Sequence, residues 1–129
     1  SAQCDTSKNI WIFTHDDEIA MGVLESLNGA ALDENKKTEF MESLKALSAS
    51  SGLAEIYAVL KDKHQTIARP DSFDLFSVTY DPAMIKEAIN VMEKSLKGEE
   101  IEQNYVIPVS VVDAENVDEF QPFGTYDEK

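Results

Sequence analysis

The sequence predicts an α/β fold, a three-layer sandwich built on a mostly parallel sheet. Three observations predict it. Short apolar runs rich in β-branched and aromatic residues alternate with stretches of helical periodicity. Polar or turn-forming residues join each run to the next helix, as in HDDE at 15–18, SASSG at 48–52 and TYDP at 79–82. The chain of 129 residues, 43% hydrophobic and 28% charged, holds enough apolar material for one small domain.

The elements follow in order. Residues 1–9 are polar and read as a frayed end. Ile10 to Thr14 reads as a buried parallel strand, with Trp11 in the core. Ile19, Ala20, Val23, Leu24 and Leu27 form one face of a helix over 18–28, closed by Asn28-Gly29, with acidic residues in its first turn where the dipole favours them. Residues 30–49 carry two periodicities. AALDENKK reads as a loop; Phe40, Met41, Leu44 and Leu47 have helical spacing; Leu44, Ala46 and Ser48 alternate as in a strand.

SASSG reads as a turn in which Ser50 or Ser51 caps a helix whose apolar face is Leu53, Ile56, Tyr57 and Leu60. Residues 61–74 are polar, with a turn at Pro70-Asp71. Leu75 to Tyr80 is the next strand. Asp81-Pro82 then reads as a helix start, followed by an apolar face of Ile85, Ala88, Ile89, Met92 and Leu96 and a stop at Gly98. Tyr105 to Val112 is the last strand, and Pro108, lacking an N–H, places it at a sheet edge or has it bridge to another body. The tail EFQPFGTYDEK is loop-like.

Composition excludes several functions. With 11 Lys and Arg against 25 Asp and Glu, the formal charge of −14 repels phosphates, so no nucleic-acid partner is expected. No apolar run is long enough to span a membrane. No secretory leader is visible, which fits either a cytosolic protein or one whose leader has been removed. The single Cys4 excludes an internal disulfide and any paired-cysteine metal knuckle. The phosphate-loop, dinucleotide, nucleophile-elbow and zinc-protease motifs are absent.

In open α/β sheets ligands gather beyond the carboxyl ends of strands, which directs attention to the three junctions. Asp16 and Asp17 suit a Mg²⁺ ion or ligand hydroxyls, and equally suit helix capping. His15 beside two acids is a candidate general base, or a surface histidine. His64 has no acid-base partner in view. Ser50 and Ser51 precede a helix as a phosphate cradle would, or as caps. Tyr80 at a strand end can stack on a ligand.

IFTHDDEIAMGVLESL resembles the IFAxNDEMAxGALxAL segment of the type I periplasmic sugar-binding proteins of ABC transporters, the ribose- and galactose-binding kind. LFSVTYDPAMIKEAINVMEKSLKGEEIEQNYVIPVSVVDAENVDEF resembles their C-terminal end, and SASSGLAEIYAVLKDK their middle segment, the likeness covering about residues 10–120. It implies a two-lobed binding protein of which this chain is a partial C-terminal lobe over 10–113, with an insertion near 30–42 and a tail over 114–129. On that likeness residues 43–49 form the remaining parallel strand. The N-terminal lobe is then a missing partner, and the exposed apolar surface can promote self-association.

The resemblance implies sugar recognition without catalysis or cofactor, delivery to an ABC transporter permease, and a periplasmic or extracellular location. It puts Asp16 where the family has a sugar-contacting Asn, Ser50 where it has a strand-end Asp, and Tyr80 at the polar strand end before the last helix. Ser51 adjoins them. Asp17 and Glu18 are assigned to the helix start, one as cap and one in the first turn. Two alternatives stand beside this. Effector domains of lac-repressor-type regulators share the first motif, without the return strand. A receiver-like phosphoacceptor domain would use the acidic pair for Mg²⁺, but its strand ends would need an Asp where this chain has Ser50 and Tyr80.

Overall fold

A computed structural model describes residues 8–29, 33–80 and 84–122. The fold is α/β, a four-stranded, mostly parallel sheet flanked by helices, consistent with a lobe of a three-layer sandwich. The elements run β1 (Ile10–Phe13), α1 (Asp17–Asn28), α2 (Glu34–Ser43), β2 (Leu44–Ser51), α3 (Ala54–Leu60), β3 (Asp74–Tyr80), α4 (Met84–Leu96) and β4 (Val109–Val112). Spatial order equals chain order. β1, β2 and β3 are parallel, and β4 pairs antiparallel to β3.

The pleat sorts the side chains. Ile12, Leu47, Ala49, Leu75, Ser77 and Val112 share one face, on which α1 and α3 pack. The core lies there: Ala20, Met21, Leu24 and Leu27 of α1 and Ile56, Tyr57, Val59 and Leu60 of α3 are all buried. The register shift between Ile10 and Trp11 keeps Ile10 and Leu44 on this same side, although Trp11 already pairs with Ala46. The other face carries Trp11, Phe13, Ser48, Phe76, Val78 and Val111.

Several expectations need correction. Trp11 is 70% exposed and Phe13 71%, so β1 is an edge strand covered on one face, not a strand buried on both. A continuous apolar run does not say which of its faces is covered. The stretch expected as a loop at 33–37 is instead the start of α2. Asp33 caps it by accepting from the N–H groups of Asn35 and Lys36. The two periodicities of 30–49 belong to two elements that meet at Ser43–Leu44 without a turn. The strand expected at 43–49 is β2, two residues longer than drawn at its carboxyl end.

The later elements match their sequence signals. α4 ends where Gly98 takes a φ of +74° and the Glu99 N–H reaches the Lys94 carbonyl. β4 is an edge strand, one of the two places expected for it, and it begins only at Val109, so Pro108 stays outside the ladder. Val117 returns to the core within a short 3-10 turn (Val117–Glu119), with Phe120 packed beside it, so the expected tail starts with ordered chain. The Asp81-Pro82 helix start and the residues before Lys8, Cys4 among them, lie outside the described residues.

Candidate functional site

The carboxyl ends of β1, β2 and β3 meet at one edge of the sheet, and three polar side chains organise it. Thr14, just past β1, is buried. Its N–H donates to the Ser48 carbonyl at 3.1 Å, and its Oγ1 lies 2.7 Å from the same carbonyl and 3.0 Å from that of Asp16. This fixes the path of the chain as it turns from β1 into α1.

Asp16 then caps α1. Its backbone is extended, and Oδ1 accepts from the Glu18 N–H at 3.0 Å. Oδ2 accepts from the Ser51 hydroxyl at 3.4 Å, across 35 residues of chain. The carboxylate stays half-exposed. An ionised Asp offers about four lone-pair sites. Two protein donors therefore leave it able to accept from a ligand.

Asp17 behaves differently. It is fully buried in the first turn of α1. Oδ2 accepts from the backbone N–H groups of Gly52 at 2.7 Å and Leu53 at 2.6 Å, and Oδ1 from the Ser77 hydroxyl at 2.9 Å. A buried carboxylate is tolerated only when hydrogen-bonded, and bonds to a charged acceptor are the strong ones. One side chain thus ties α1, the β2–α3 turn and β3 together.

This corrects two assignments. Neither Ser50 nor Ser51 caps α3: both belong to β2, and the residue at the cap position, Leu53, supplies no side-chain bond. Asp17 serves the N–H groups there instead. Nor is the α1 cap Asp17 or Glu18; it is Asp16, and Asp17 takes the first-turn place. Fully buried, with three protein donors on its two oxygens, Asp17 is not placed to share a cation with the half-exposed Asp16. Among the described residues no group of three His, Cys, Asp or Glu side chains is placed to hold a metal ion.

The turn itself is tight. Ser51 has a φ of +139° and Gly52 a φ of +96°. The first is unusual for a residue with a side chain, and such backbone persists only where the surroundings over-determine it. Here the Thr79 hydroxyl donates to the Ser51 carbonyl at 3.0 Å, and the Ser51 hydroxyl contacts the Ser50 carbonyl. A Cβ at residue 52 would meet Thr79 Oγ1 at 2.5 Å and the Tyr57 hydroxyl at 3.0 Å, so only glycine fits.

The four residues singled out from the sequence fall into two pairs. Asp16 and Ser51 are brought together by their hydrogen bond. Ser50 and Tyr80 lie half-buried on the open sheet face instead, in register with Val78 and Val109 respectively. His15 is exposed, and its ring meets that of Phe13 edge-on at 5.3 Å. His64 accepts from the N–H of Ile67 at 3.1 Å and shapes its own loop, away from this edge.

Sequence reasoning missed Asp17 as the central tie and missed Thr14 and Thr79. The available signal was the polar residue ending each strand run: Thr14, Ser51 and Thr79 all sit at carboxyl ends. The resulting edge is rich in acceptors, which suits a ligand rich in donors. The chain matches no protein-family model and no curated protein sequence, so the residues and their geometry carry the functional reading.

Proposed function

We propose that this chain recognises a sugar without chemistry on it, forming one side of a cleft whose other side is a second lobe. The observation that carries the reading is the half-exposed Asp16 carboxylate at the end of β1, held by the Glu18 N–H and the Ser51 hydroxyl. A fixed carboxylate accepts a pair of hydrogen bonds from neighbouring sugar hydroxyls, and polar groups so placed set orientation in a binding cleft. The position at the carboxyl ends of parallel strands is where α/β sheets take ligands.

On this reading Asp16 and Ser51 contact the sugar from the strand ends. Ser50 and Tyr80 approach from the open face, the tyrosine ring offering a surface to stack on. The resemblance to type I sugar-binding proteins supports the same assignment. It extends it to delivery to an ABC transporter permease from the periplasm or the cell surface. No cofactor and no nucleic acid enter.

The test is a calorimetric titration of a monosaccharide panel into this chain and into the chain joined to a first lobe, each also as Asp16→Ala. Binding by the two-lobed form that Asp16→Ala abolishes is the expected result. Binding left unchanged by Asp16→Ala removes Asp16 from the site. Absence of binding in both forms overturns the sugar reading.

A further inference from the structure

Among the described residues two apolar surfaces stand uncovered. Along α4, Ile85, Ile89, Met92 and Leu96 recur at i, i+4, i+7 and i+11 and are 62%, 60%, 66% and 84% exposed. On the open sheet face Trp11, Phe13, Val109 and Val111 are all more than half exposed. A helix of 13 residues is marginal alone in water, and its stability normally comes from packing such a stripe. No residue of α4 is buried.

We propose that two copies of this chain associate reciprocally, α4 of each lying on the open sheet face of the other. Both surfaces are present on every copy, so one two-fold axis satisfies both at once and closes the assembly. The packing mode is already in use, since α1 and α3 lie on the opposite face of the same sheet.

Area favours the arrangement. A covered aromatic side chain buries roughly 150–250 Å². Each helix-on-sheet contact, with two aromatic and six aliphatic side chains, thus covers on the order of 1,000 Å². Two such contacts give about 2,000 Å², within what stable interfaces bury.

Charge selects the element. Residues 84–97 carry Lys86, Lys94 and Lys97 against Glu87 and Glu93, a net +1, so the rest of the −14 chain stands at −15. Of the four helices, α4 alone is not net negative, Lys86 and Lys94 balancing Glu87 and Glu93, and Lys97 just past its end adds the positive charge. Asp74, Asp113 and Glu115, with Arg69 the one cation beside them, line a hollow with Trp11 and Val111 at the rim of the open face, a net-acidic border for the lysines of residues 84–97. The association does not rest on the sugar reading, but it competes with it at one place: α4 laid on this face would cover Ser50 and Tyr80, while Asp16 and Ser51 lie at the strand ends.

The experiment is sedimentation velocity on the full chain from about 1 μM to about 1 mM, a range that captures weak dimers. It is run on wild type, on a helix variant (Ile89→Asp with Met92→Asp) and on a sheet variant (Phe13→Asp with Val111→Asp). The substituted positions are exposed, and circular dichroism checks each fold. Wild type is expected to dimerise and each variant alone to remain monomeric. An equimolar mixture of the two variants should regain a weaker dimer, because it retains one intact helix-on-sheet contact.

A wild type that stays monomeric throughout overturns the proposal. So does a mixture that fails to associate while both variants are folded. Should a variant misfold, hydrogen exchange on wild type decides. Protection of the α4 amides that rises with protein concentration supports the contact, and protection independent of concentration overturns it.

Discussion

The Leu53 N–H donates to Asp17 Oδ2 at 2.6 Å, joining residues 36 positions apart. The same oxygen takes the Gly52 N–H, so the amino end of α3 is capped from the start of α1. The strand ends that carry the candidate site are therefore set by a side chain that does not itself reach the surface.

Removing that tie should be costly. Asp17→Ala leaves two backbone N–H groups and the Ser77 hydroxyl without their partner, and hydrogen bonds to a charged group contribute about 1.5–3 kcal/mol each. Urea unfolding should show a loss of about 3 kcal/mol or more. Asp17→Asn should lose less, since its carbonyl oxygen still accepts from one side. A loss under about 1 kcal/mol for Asp17→Ala would show that water or rearranged side chains replace the carboxylate.

Gly52→Ala tests the turn. Its Cβ would come within 2.5 Å of Thr79 Oγ1, and its φ of +96° is unfavourable for alanine. The expected loss is about 1–3 kcal/mol. Adding Thr79→Ala removes the side-chain clash but not the backbone strain. The double variant should therefore recover part of the loss relative to the sum of the singles. Strict additivity would place the whole cost in the backbone.

Ser48 marks a weak point in the sheet. It is 6% exposed, and its hydroxyl has no hydrogen-bond partner among the described residues. In register it lies between Phe13 and Phe76. Leaving a buried hydroxyl unsatisfied costs about 1–3 kcal/mol, so Ser48→Ala should be neutral or stabilising in the same urea assay. Destabilisation beyond about 1 kcal/mol would show that the hydroxyl is satisfied in solution.

How far the sequence alone leads is visible at particular residues. β1, α1, β3 and α4 were legible because their signals are local: an apolar run, a 3.6-residue period, a glycine stop at residue 98. The α2–β2 boundary was not, because helix passes directly into strand at Ser43–Leu44 and one window mixes both periods. Trp11 was misplaced because its exposure depends on which face α1 and α3 choose. Asp16 was picked out as a site residue, yet its bond to Ser51, and the network of Asp17, are contacts 35 to 60 residues apart, which no local pattern encodes.

The Glu87–Tyr105 pair gives a pH signature at α4. The tyrosine hydroxyl donates to the Glu87 carboxylate at 2.7 Å. This bond, aided by the Asn90 amide, holds the Glu87 pKa below its ordinary value, and the same bond raises that of Tyr105. A carboxylate whose folded pKa is depressed contributes stability above its unfolded pKa and loses it as pH falls through the folded one. Tyr105→Phe should therefore move the Glu87 titration upward in an NMR series through the acid range. An unmoved midpoint would mean the bond is not populated in solution. Both groups are solvent-exposed, so the effect on unfolding should be small.

Asp16 has two roles that substitution can separate. As the cap of α1 it accepts from the Glu18 N–H, and losing a cap costs about 1 kcal/mol. As the proposed sugar contact it needs a carboxylate facing the cleft. Asp16→Ala removes both. Asp16→Asn keeps a capping oxygen, Asn and Asp being about equal in that position, but exchanges one acceptor atom for a donor. Stability should thus fall for Ala and hold for Asn. Sugar affinity of the two-lobed protein should fall for Ala and change in its preference among monosaccharides for Asn, because hydroxyls paired with the carboxylate now meet an amide. If affinity simply tracks stability across the two variants, Asp16 acts as a helix cap and the ligand contact belongs to another residue of the edge.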